Sequence, residues 1–471
     1  MATAQQASTL IVGLGKTGLA CARFLQAQHI PYAVTDSRDV PPGLWELKAL
    51  NPSVSLTLAG FNETALDGIR QLIVSPGVSL QEPFIQAAVA RGIEVIGDIE
   101  LFARHADAPV LAITGSNGKS TVTTLIGHMT ERAGLTVQVG GNLGTPALDL
   151  LLKSRAAESK TDYYILELSS FQLEATYSLN ACTAVVLNVS PDHMDRYADF
   201  AGYAAAKQRV YHGDGVMIVN RDDAAVQAMA QQLLAQDPGR RIIAFTLQQP
   251  GADEFGIVQQ QGQDWLAFGS QLSASQTSDA QLLLPVSELR IAGRHNVANA
   301  LAALALGHAL QLPMATMLET LREFTGLPHR MQWVAEIDGV SWYNDSKGTN
   351  VGATVSAIKG MPGPKLLIAG GEGKDADFSP LRAAVSNNQV RTVILIGRDA
   401  GKLAEAIGDA AVIKQADSLE KAVRLAHDLA HAGDSVLLSP ACASFDMFHD
   451  YEHRGEVFVT AVETLAQAVS S

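Results

Sequence analysis

The stretch VLAITGSNGKSTVTTLIGHM, at residues 110–129, constrains the fold more than any other part of the chain. It starts as a short apolar strand over residues 110–113 and passes through a turn that contains Gly115 and Gly118. It then continues as a helix with its apolar residues on one side. The amide groups that open such a helix point outward and attract anions. The stretch therefore predicts a strand, a phosphate-binding turn and a helix of an α/β domain.

The side chains that follow the turn favour a nucleotide as the anion. Lys119 supplies a positive charge for the β- and γ-phosphates, and Ser120 supplies a hydroxyl for Mg²⁺. The spacing differs from the standard P-loop, because Ile113 stands where that pattern has its first glycine. The alternative is a glycine turn with a helix-capping serine. The strand before the turn and the lysine within it favour the phosphate site.

Length, charge and cysteine content limit the class of protein. A chain of 471 residues predicts about three domains. A net charge of −14 argues against nucleic-acid binding but not against a small anionic ligand. The three cysteines form no CxxC pair, which indicates a reducing compartment. No segment reads as a signal peptide or a membrane span, so we expect a soluble cytoplasmic monomer without a membrane partner.

The N-terminal part carries a second glycine motif. A strand at residues 9–13 leads into GLGKTG, then a helix, and a second strand at 32–35 ends at Asp36. This pattern is typical of a dinucleotide-binding unit, but the motif alone leaves open NAD, another nucleotide or mere packing. Further strands are predicted at 71–74 and 93–96. Ligands of open α/β sheets lie beyond the carboxyl ends of strands, where the following residues should converge: Lys16, Thr17, Ser37, Arg38 and Gly77.

Two boundaries divide the chain into three predicted domains: 1–97, 98–326 and 327–471. The first lies near Gly97, before a helical connector that ends at a proline, and the second lies at GLPHR, residues 326–330. Strands of the central domain are predicted at 136–139, 164–168, 184–188 and 216–220. Residues 242–293 read as a β-rich flap with an exposed loop, and Ile291–Leu310 as a buried helix. Beyond 326, strands at 340–343, 365–369, 392–396 and 435–439 alternate with helices, which predicts another α/β domain.

Polar residues after several of these strands are candidates for chemistry. Glu167 ends an apolar strand of the phosphate-loop domain and is a natural Mg²⁺ ligand, unless it merely lies on an edge strand. The next strand is followed by Asp192, His193 and Asp195. Lys207 lies on a predicted helix, where its spacing fits either a site or a solvated face. In the third domain, the carboxyl ends of strands carry Asp345, Lys347, Thr349, Lys374 and Ser444, whereas Cys442 lacks an evident base and reads as a buried thiol.

The chain resembles the Mur ligases of peptidoglycan synthesis in seven motifs that occur in the same order: TGSNGKST, LELSSFQLE, DHMDRY, GRHNVANALAA, GLPHR, NDSKGTN and SPACAS. The resemblance covers essentially the whole chain. It implies a Rossmann-like first domain, a central P-loop ATPase-type domain and a Rossmann-like third domain. It also implies an ATP- and Mg²⁺-dependent amide ligase that works through an acyl phosphate. Among family members, the pattern is most similar to those that join D-glutamate to UDP-N-acetylmuramoyl-L-alanine.

The resemblance also implies roles for individual residues. ATP-binding positions are Gly115, Ser116, Asn117, Gly118, Lys119, Ser120, Thr121, Asn299, Arg330 and Asp345. Metal-binding positions are Ser120, Glu167, His193 and Lys207, the last as a carbamate formed with CO₂. Contacts to the UDP substrate are implied for Lys16, Thr17, Ser37, Arg38, Gly77, Asn142, Ser169, Gln172 and His193. Contacts to the amino acid are implied for Lys347, Thr349, Lys374, Ser444, Phe445 and Tyr451.

Some alternatives stay open on the sequence. A sister ligase with another amino acid, or a folate-polyglutamate-type ligase, shares the central domain. GLGKTG argues against the folate branch, and Lys374 with SPACAS favours D-glutamate over a diamino acid. An NAD-dependent oxidoreductase built on residues 9–38 would leave the GKST loop unexplained. Two positions depart from the family pattern: Ser37 replaces Thr, and Tyr451 replaces Phe, which predicts a more polar rim of the amino-acid pocket.

Overall fold

A computed structural model of the chain describes residues 7–194, 196–269, 280–291, 293–374 and 376–470. These residues form three β-sheets with helices between the strands. They divide into two compact units. The first unit contains residues 7–194, 196–258, 266–269, 280–283 and 300–320, and the second contains 259–265, 284–291, 293–299, 321–374 and 376–470. Within the described residues, no helix is both long and apolar enough to cross a membrane.

The first sheet has five parallel strands in the order β3-β2-β1-β4-β5. Its strands are Thr9–Val12 (β1), Tyr32–Thr35 (β2), Ser55–Thr57 (β3), Gln71–Val74 (β4) and Glu94–Gly97 (β5). Its helices are Lys16–Ala27 (α1), Leu44–Leu50 (α2), Pro83–Ala90 (α3) and Asp98–Ala103 (α4). The four predicted strands are confirmed to within one residue. The strand order reverses at β1, which opens a crevice at the carboxyl ends of β1 and β4.

The second sheet has nine strands in the order β14-β13-β12-β11-β10-β9-β6-β8-β7. Its strands are Val110–Thr114 (β6), Val137–Gly141 (β7), Tyr163–Glu167 (β8), Thr183–Val186 (β9), Val216–Asn220 (β10), Ile242–Phe245 (β11), Glu254–Gln260 (β12), Gln263–Gly269 (β13) and Ala280–Pro285 (β14). The helices are Lys119–Arg132 (α5), Ala147–Ala156 (α6), Ser170–Glu174 (α7), Phe200–Gln208 (α8), Ala224–Gln236 (α9), Arg294–Ala309 (α10) and Met314–Glu323 (α11). Fully buried β6 runs parallel to β8 and β9, one on each side.

The predictions for this part are confirmed with small shifts at the element ends. The helix after the phosphate loop starts at Lys119, one residue early, and the connector helix ends at Ala103, well before Pro109. The β-rich flap consists of β11 to β14, which continue the second sheet. Residues 270–279 of its predicted exposed loop lie outside the described residues. Because β8 lies between β6 and β7, the alternative that Glu167 sits on an edge strand is wrong.

The third sheet has six strands in the order β15-β16-β20-β17-β18-β19. Its strands are Gln332–Ile337 (β15), Val340–Asn344 (β16), Lys365–Gly370 (β17), Val390–Ile396 (β18), Val412–Gln415 (β19) and Ser435–Leu438 (β20). Its helices are Val351–Gly360 (α12), Ser379–Asn387 (α13), Ala400–Ile407 (α14), Leu419–Leu429 (α15) and Tyr451–Ser470 (α16). β15 is antiparallel to β16, and the other pairs are parallel. The loops after β16, β20 and β17 therefore leave neighbouring strand ends.

Candidate active site

The phosphate loop has a backbone that only glycine adopts without strain. Gly115 has a φ of +155° and Gly118 a φ of +83°, both in the region that side chains disfavour. A Cβ atom added at Gly115 would also come within 3.0 Å of the Cβ of Leu187. Gly118 immediately precedes α5, so the amides of the first turn open toward the loop. This geometry fits the predicted phosphate cradle.

Asn188 holds the loop in place from the end of the neighbouring strand. Its backbone carbonyl accepts from Ser116 N at 2.9 Å, its side-chain oxygen accepts from Asn117 N at 2.8 Å, and its side-chain nitrogen donates to Asn117 O at 3.0 Å. Ser116 Oγ adds a bond to Ser190 O at 3.0 Å. No sequence motif marks Asn188 as a site residue. Its only signal was its place two residues beyond β9, next to the strand that carries the loop.

Two lysine side chains meet at one carbonyl of the loop. Lys119 Nζ donates to the carbonyls of Gly115 and Ser116 at 2.9 and 3.0 Å, and Lys207 Nζ donates to Gly115 O at 2.8 Å. Lys207 is only 2% exposed, so the alternative of a solvated helix face is wrong. Burial, and then the positive charge of Lys119, lower the pKa of the Lys207 amine well below its usual value. The surroundings of Lys207 beneath the phosphate loop therefore disfavour a second positive charge beside Lys119.

Three predicted site residues from separate segments, Ser120, Asn142 and Glu167, contact one another through the carboxylate of Glu167. Its carboxylate accepts from Ser120 Oγ at 2.6 Å and from Asn142 Nδ2 at 2.7 Å, and its backbone carbonyl accepts from Asn142 N at 2.8 Å. Glu167 is only 3% exposed. The structure therefore joins the start of α5, the loop after β7 and the end of β8 into one cluster of oxygen and amide groups.

His193, in the loop after β9, contacts Phe171 and Asp192. Its ring stacks edge-on against Phe171 at 4.7 Å, and its Nε2 is 3.7 Å from Asp192 Oδ2. It has a positive φ of 57° and is about half exposed. Asp195, predicted in the same loop, lies outside the described residues.

Arg196 ties this loop to the first sheet. Its guanidinium donates to the carbonyls of Pro76 and Val78, both at 3.1 Å, and forms an ion pair with Glu174 at 2.8 Å. It also lies over the ring of Phe171 at 4.6 Å. Arg196 therefore fixes the backbone around predicted substrate residue Gly77. This role of Arg196 is not visible in the sequence, because the arginine and the loop are more than 100 residues apart.

A pocket of about 470 Å³ opens at the crevice of the first sheet. It is lined by Gly13, Gly15, Lys16, Thr17, Asp36, Ser37, Arg38, Phe61, Ser75, Pro76, Gly77, Val78, Gly141, Asn142, Gly144, Pro146 and Gln172. Seven of the nine predicted UDP-substrate residues are among them. The other two, Ser169 and His193, are not part of the lining that the described residues form. Lys16 Nζ donates to Gly144 O at 2.5 Å. The pocket wall therefore combines residues that follow strands of the first and second sheets.

Asp36 organises the polar end of this pocket. Its carboxylate accepts from Arg38 Nε and Nη2 at 2.8 and 2.7 Å, from Arg38 N at 2.9 Å and from Leu14 N at 2.6 Å. Burial opposes ionisation of Asp36, but the hydrogen bonds from Arg38 and Leu14 outweigh it and lower the pKa. The acid therefore orients Arg38 and the glycine turn. It was noted in the sequence only as part of the dinucleotide pattern.

Ser169 and Gln172 form the N-terminal cap of α7. The Ser169 hydroxyl accepts from Gln172 N at 3.2 Å, and the Gln172 side-chain oxygen accepts from Ser169 N at 3.1 Å. Gln172 Nε2 donates to Asp98 Oδ2 at 3.0 Å. Asp98 is buried, and that burial raises its pKa to about 6. These contacts orient the Gln172 amide, which lines the pocket.

In the second unit, two predicted ATP-binding residues are buried in separate settings. Asn299 Nδ2 donates to Asn296 Oδ1 at 3.1 Å within α10. Asp345 accepts from Ser439 Oγ at 2.7 Å and from Met331 N at 3.3 Å. Burial raises the pKa of Asp345 to about 7. Arg330, the third predicted residue of this unit, acts electrostatically on Asp345.

The predicted amino-acid residues lie on the loops after β16, β17 and β20 and at the start of α16. Lys347 Nζ lies 3.7 Å from the centre of the Tyr451 ring, and Lys374 Nζ lies 5.7 Å from that of Phe445. Thr349 N donates to Lys347 O at 2.7 Å. Ser444 is buried, whereas Phe445 is 64% exposed. Cys442 is a buried free thiol with a pKa raised to about 12, which confirms the non-nucleophilic interpretation.

These side chains suit phosphoryl transfer better than hydride transfer. The phosphate loop, its lysines and the Ser120–Glu167 pair provide an anion cradle beside oxygen ligands. In the pocket of the first sheet, Asp36 already bonds Arg38 and Leu14 N. A dinucleotide site uses such an acid for the ribose hydroxyls. The geometry therefore gives the oxidoreductase alternative no support.

Known proteins match the chain in three successive segments. Residues 7–97 match the family described as "Mur ligase MurD-like, N-terminal domain", residues 113–307 match "Mur ligase middle domain", and residues 329–442 match "Mur ligase, glutamate ligase domain". Together they span most of the sequence.

Curated relatives are similar over nearly the full length. A relative from Nitrosococcus oceani is 52% identical, with 98% of this chain and 97% of the relative covered. One from Marinobacter nauticus is 53% identical, with 97% and 98% covered. Both are named "UDP-N-acetylmuramoylalanine--D-glutamate ligase".

Solved structures of low sequence identity share the fold. The pseudomurein peptide ligase type C of Methanothermus fervidus has a TM-score of 0.59 at 15% identity, covering 97% of this chain and 100% of its own. The UDP-N-acetylmuramate-alanine ligase of Thermotoga maritima has a TM-score of 0.58 at 14% identity, covering 98% and 100%. With half of its residues identical to curated relatives along the whole chain, this protein is a member of the Mur ligase family, the ATP-dependent amide-forming ligases with a three-domain α/β fold.

Proposed function

We propose that this enzyme joins D-glutamate to UDP-N-acetylmuramoyl-L-alanine, with ATP as the energy source, in the synthesis of peptidoglycan precursors. The observation that carries the proposal is the cluster at the phosphate loop, where Ser120 and Asn142 both bind the carboxylate of Glu167. The segments that we assign to the nucleotide and to the UDP substrate both contact Glu167, which supports the proposal. The names of relatives at 52% and 53% identity support the choice of D-glutamate.

The chemistry follows from the poor reactivity of a carboxylate toward amines. The alanyl carboxylate attacks the γ-phosphorus of ATP, ADP leaves, and an acyl phosphate forms. The D-glutamate amine then attacks the carbonyl carbon through a tetrahedral intermediate. The carbon–oxygen bond to phosphate breaks, which releases the amide, phosphate and a proton. Preorganised positive groups stabilise the charge that develops in both steps.

Residues of the phosphate loop bind the triphosphate in this scheme. The loop Gly115–Thr121 wraps the phosphates with backbone amides, and Lys119 exchanges its loop carbonyls for phosphate oxygens. Asn299, Arg330 and Asp345 bind the rest of the nucleotide. Holding the two reactants in line accounts for much of the rate gain expected of such an enzyme.

The residues at Glu167 fit a bound Mg²⁺ ion. Mg²⁺ prefers oxygen ligands and keeps several waters and phosphates around it, and here a hydroxyl and a carboxylate lie 2.6 Å apart. Within the part of the chain that the structure describes, no three His, Cys, Asp or Glu side chains group to hold a metal alone. Ser120, Glu167 and His193 would therefore contribute single ligands. When bound, Mg²⁺ offsets the repulsion between phosphates and the substrate carboxylate.

Lys207 serves as a carbamate in the proposed enzyme. Its amine is buried beside Lys119 and bonded to Gly115 O, where a positive charge is unfavourable. Reaction of the neutral amine with CO₂ forms an N–C bond and releases a proton. The product is an anion that relieves the repulsion with Lys119 and can bind Mg²⁺.

The remaining predicted residues bind the two other substrates. Lys16, Thr17, Ser37, Arg38 and Gly77 hold the UDP end, while Asn142, Ser169, Gln172 and His193 hold the muramoyl part. Lys347, Thr349, Lys374, Ser444, Phe445 and Tyr451 form the amino-acid pocket. Ser37 keeps the hydroxyl of the threonine that the family pattern has there. The lysines are natural partners for the carboxylates of D-glutamate.

The proposed enzyme works as a monomer in the cytoplasm, with domains at 1–97, 98–326 and 327–471. Its substrates are small anions, and each domain contributes one binding region. The UDP end binds the first domain and D-glutamate binds the third. ATP binds the second domain, with Arg330 and Asp345 contributed by the third.

Phosphate release tests the proposal directly. We expect release only when ATP, Mg²⁺, UDP-N-acetylmuramoyl-L-alanine and D-glutamate are all present, with omission of each component as the control. A panel of amino acids should give turnover with D-glutamate and little with L-lysine or meso-diaminopimelate. Equal turnover with either diamino acid would overturn the proposed specificity and favour a sister ligase.

A further inference from the structure

Arg454, on the first turn of α16, is a buried cation that the assigned roles do not use. Only 1% of its surface is exposed. Its guanidinium donates to Ser346 Oγ at 3.0 Å, Ser346 O at 2.8 Å, Cys442 O at 3.1 Å and Ala443 O at 3.4 Å. All four acceptors are uncharged oxygen atoms. Arginine in a protein interior usually bonds a carboxylate.

These bonds connect the loops that carry the amino-acid residues. Ser346 precedes Lys347 after β16, and Ala443 precedes Ser444 after β20. Ala443 also exchanges two backbone hydrogen bonds, at 2.9 and 3.0 Å, with Glu372, in the loop after β17 that carries Lys374. Ser346 Oγ donates to Tyr451 O at 2.8 Å. The guanidinium thus binds the loops after β16 and β20 directly, and Ala443 links it to the loop after β17.

The positive charge of Arg454 is not neutralised by direct contact. Among the described residues, no carboxylate oxygen lies within ion-pair distance of its guanidinium, and the acids that act on it from further away are Asp345 and Asp446. Burial lowers the pKa of Arg454 to about 10, so it remains protonated at neutral pH. Neither acid contacts the guanidinium, so a buried positive charge lies directly behind the loops that carry the predicted amino-acid residues.

We propose that Arg454 is a positioning residue that makes the amino-acid pocket selective for an acidic substrate. It holds the loops of Lys347, Lys374 and Ser444 in register and adds a buried positive charge behind them. A charge in a low-dielectric interior acts over longer distances than one on the surface. The second carboxylate of the amino acid therefore gains attraction that a neutral side chain does not. The inference rests on the proposed function, in which these loops bind D-glutamate.

Two substitutions separate the charge from the bracing bonds. Arg454→Met removes both, whereas Arg454→Lys keeps the charge but loses the guanidinium fork. Lys365→Met is the matched control, because Lys365 is also a buried cation that donates to uncharged carbonyls, those of Gly363 and Asn388. It lies at the opposite end of β17 from Lys374. A purely structural effect of deleting a buried cation should appear in the control as well.

The readout is the KM for each substrate of the full-length enzyme, together with the Ki of D-glutamine as a neutral competitor of D-glutamate. In Arg454→Met we expect the KM for D-glutamate to rise at least about tenfold, about 1.4 kcal/mol. The KM for ATP should change less than about threefold. The Ki of D-glutamine should rise by a smaller factor than the KM for D-glutamate, because a neutral competitor loses the braced loops but no charge attraction. Arg454→Lys should raise the KM for D-glutamate but largely keep the ratio of D-glutamine Ki to D-glutamate KM. Lys365→Met should lower the melting temperature without shifting that ratio.

Other outcomes overturn the inference. Equal changes for D-glutamate, D-glutamine and ATP in Arg454→Met would make the residue purely structural. If Arg454→Met does not fold, Arg454→Lys is the deciding variant. A fall of its ratio of D-glutamine Ki to D-glutamate KM to about one, as in a pocket that does not distinguish the two, would contradict the proposal. A wild-type enzyme that releases no phosphate with D-glutamate would instead contradict the proposed function itself.

Discussion

At the scale of single residues, Lys207 is the side chain whose charge its surroundings disfavour most clearly. Its amine is buried, faces Lys119 and bonds one carbonyl of the phosphate loop. A lysine in this setting is best stabilised by losing its charge or by becoming an anion. The sequence predicted a role here only through family resemblance, because helical spacing could not separate a buried position from an exposed one.

Replacing Lys207 by alanine should lower kcat by about 10- to 100-fold, since removal of groups around a metal commonly has an effect of that size. Short carboxylic acids such as acetate should restore part of the activity by occupying the place of the carbamate. Phosphate release with and without added acetate is the measurement. Lys153→Ala, at an exposed position of α6, is the control and should retain full activity. Full activity of Lys207→Ala without acetate would refute the carbamate role.

The buried carboxyl of Asp98 should make the free energy of unfolding depend on pH. Burial raises its pKa to about 6, whereas the unfolded chain has an ordinary aspartate. Between about pH 4 and pH 6 the folded state therefore holds a proton that the unfolded state has lost, and stability falls as pH rises. Above about pH 6 both states are ionised and the loss is complete. The shift corresponds to up to about 3 kcal/mol.

Denaturant unfolding of the wild type and Asp98→Asn across this range checks that prediction. The variant can still accept from Gln172 Nε2, so its stability relative to wild type should increase from about pH 4 to pH 6 and then stay constant. Asp67→Asn, at an exposed position, should run parallel to wild type. Parallel curves for Asp98→Asn and wild type would show that burial does not shift this group.

At the scale of elements, the strand–turn–helix units depend on close backbone approach at glycine. In the first sheet, a Cβ atom added at Gly18 of α1 would lie 1.9 Å from the carbonyl oxygen of Gly13. That contact is with backbone, which cannot move aside without shifting β1 or α1. The third glycine of GLGKTG therefore sets how tightly the helix packs over the strand end.

Gly18→Ala should destabilise the protein by about 2 to 4 kcal/mol, in the range of overpacked or strained sites. Gly15→Ala is the matched control, because an added Cβ there meets no heavy atom of the described residues within 4 Å and its φ of −90° is ordinary. It should change stability by less than about 1 kcal/mol. Free energies of unfolding in denaturant measure both effects, and equal losses for the two variants would refute the packing argument.

Strands and helices with a clear apolar pattern could be located from the sequence, whereas side-chain contacts between distant residues could not. The buried strands β1, β6 and β17 are apolar runs bounded by glycine turns, so the sequence located them to within one residue. The three-residue strand β3 is too short to show a period, and the sequence analysis did not find it. Asn188 and Arg454 act through contacts with residues distant in the chain. No local pattern marks such partners.

At the scale of the whole molecule, the polar loops follow the carboxyl ends of strands in all three sheets. Glycine turns follow β1 and β6, and NDSKGTN and SPACAS follow β16 and β20. Parallel sheets gather such loops along one edge, where ligands bind. The order of motifs was therefore enough to predict the family and the three-domain fold. The sequence could not reveal that Asp36, Asn188 and Arg196 hold the predicted site residues in place.

In the proposed mechanism, a carboxylate oxygen of the UDP substrate attacks the γ-phosphate of ATP. The most direct test labels both alanyl carboxylate oxygens of UDP-N-acetylmuramoyl-L-alanine with ¹⁸O. Mass spectrometry then measures the ¹⁸O content of the released phosphate. We predict one ¹⁸O atom in each phosphate and one in the new amide, because the bond between carbon and the bridging oxygen breaks in the second step. Phosphate without label, formed while the amide accumulates, would contradict the acyl phosphate and the account built on it.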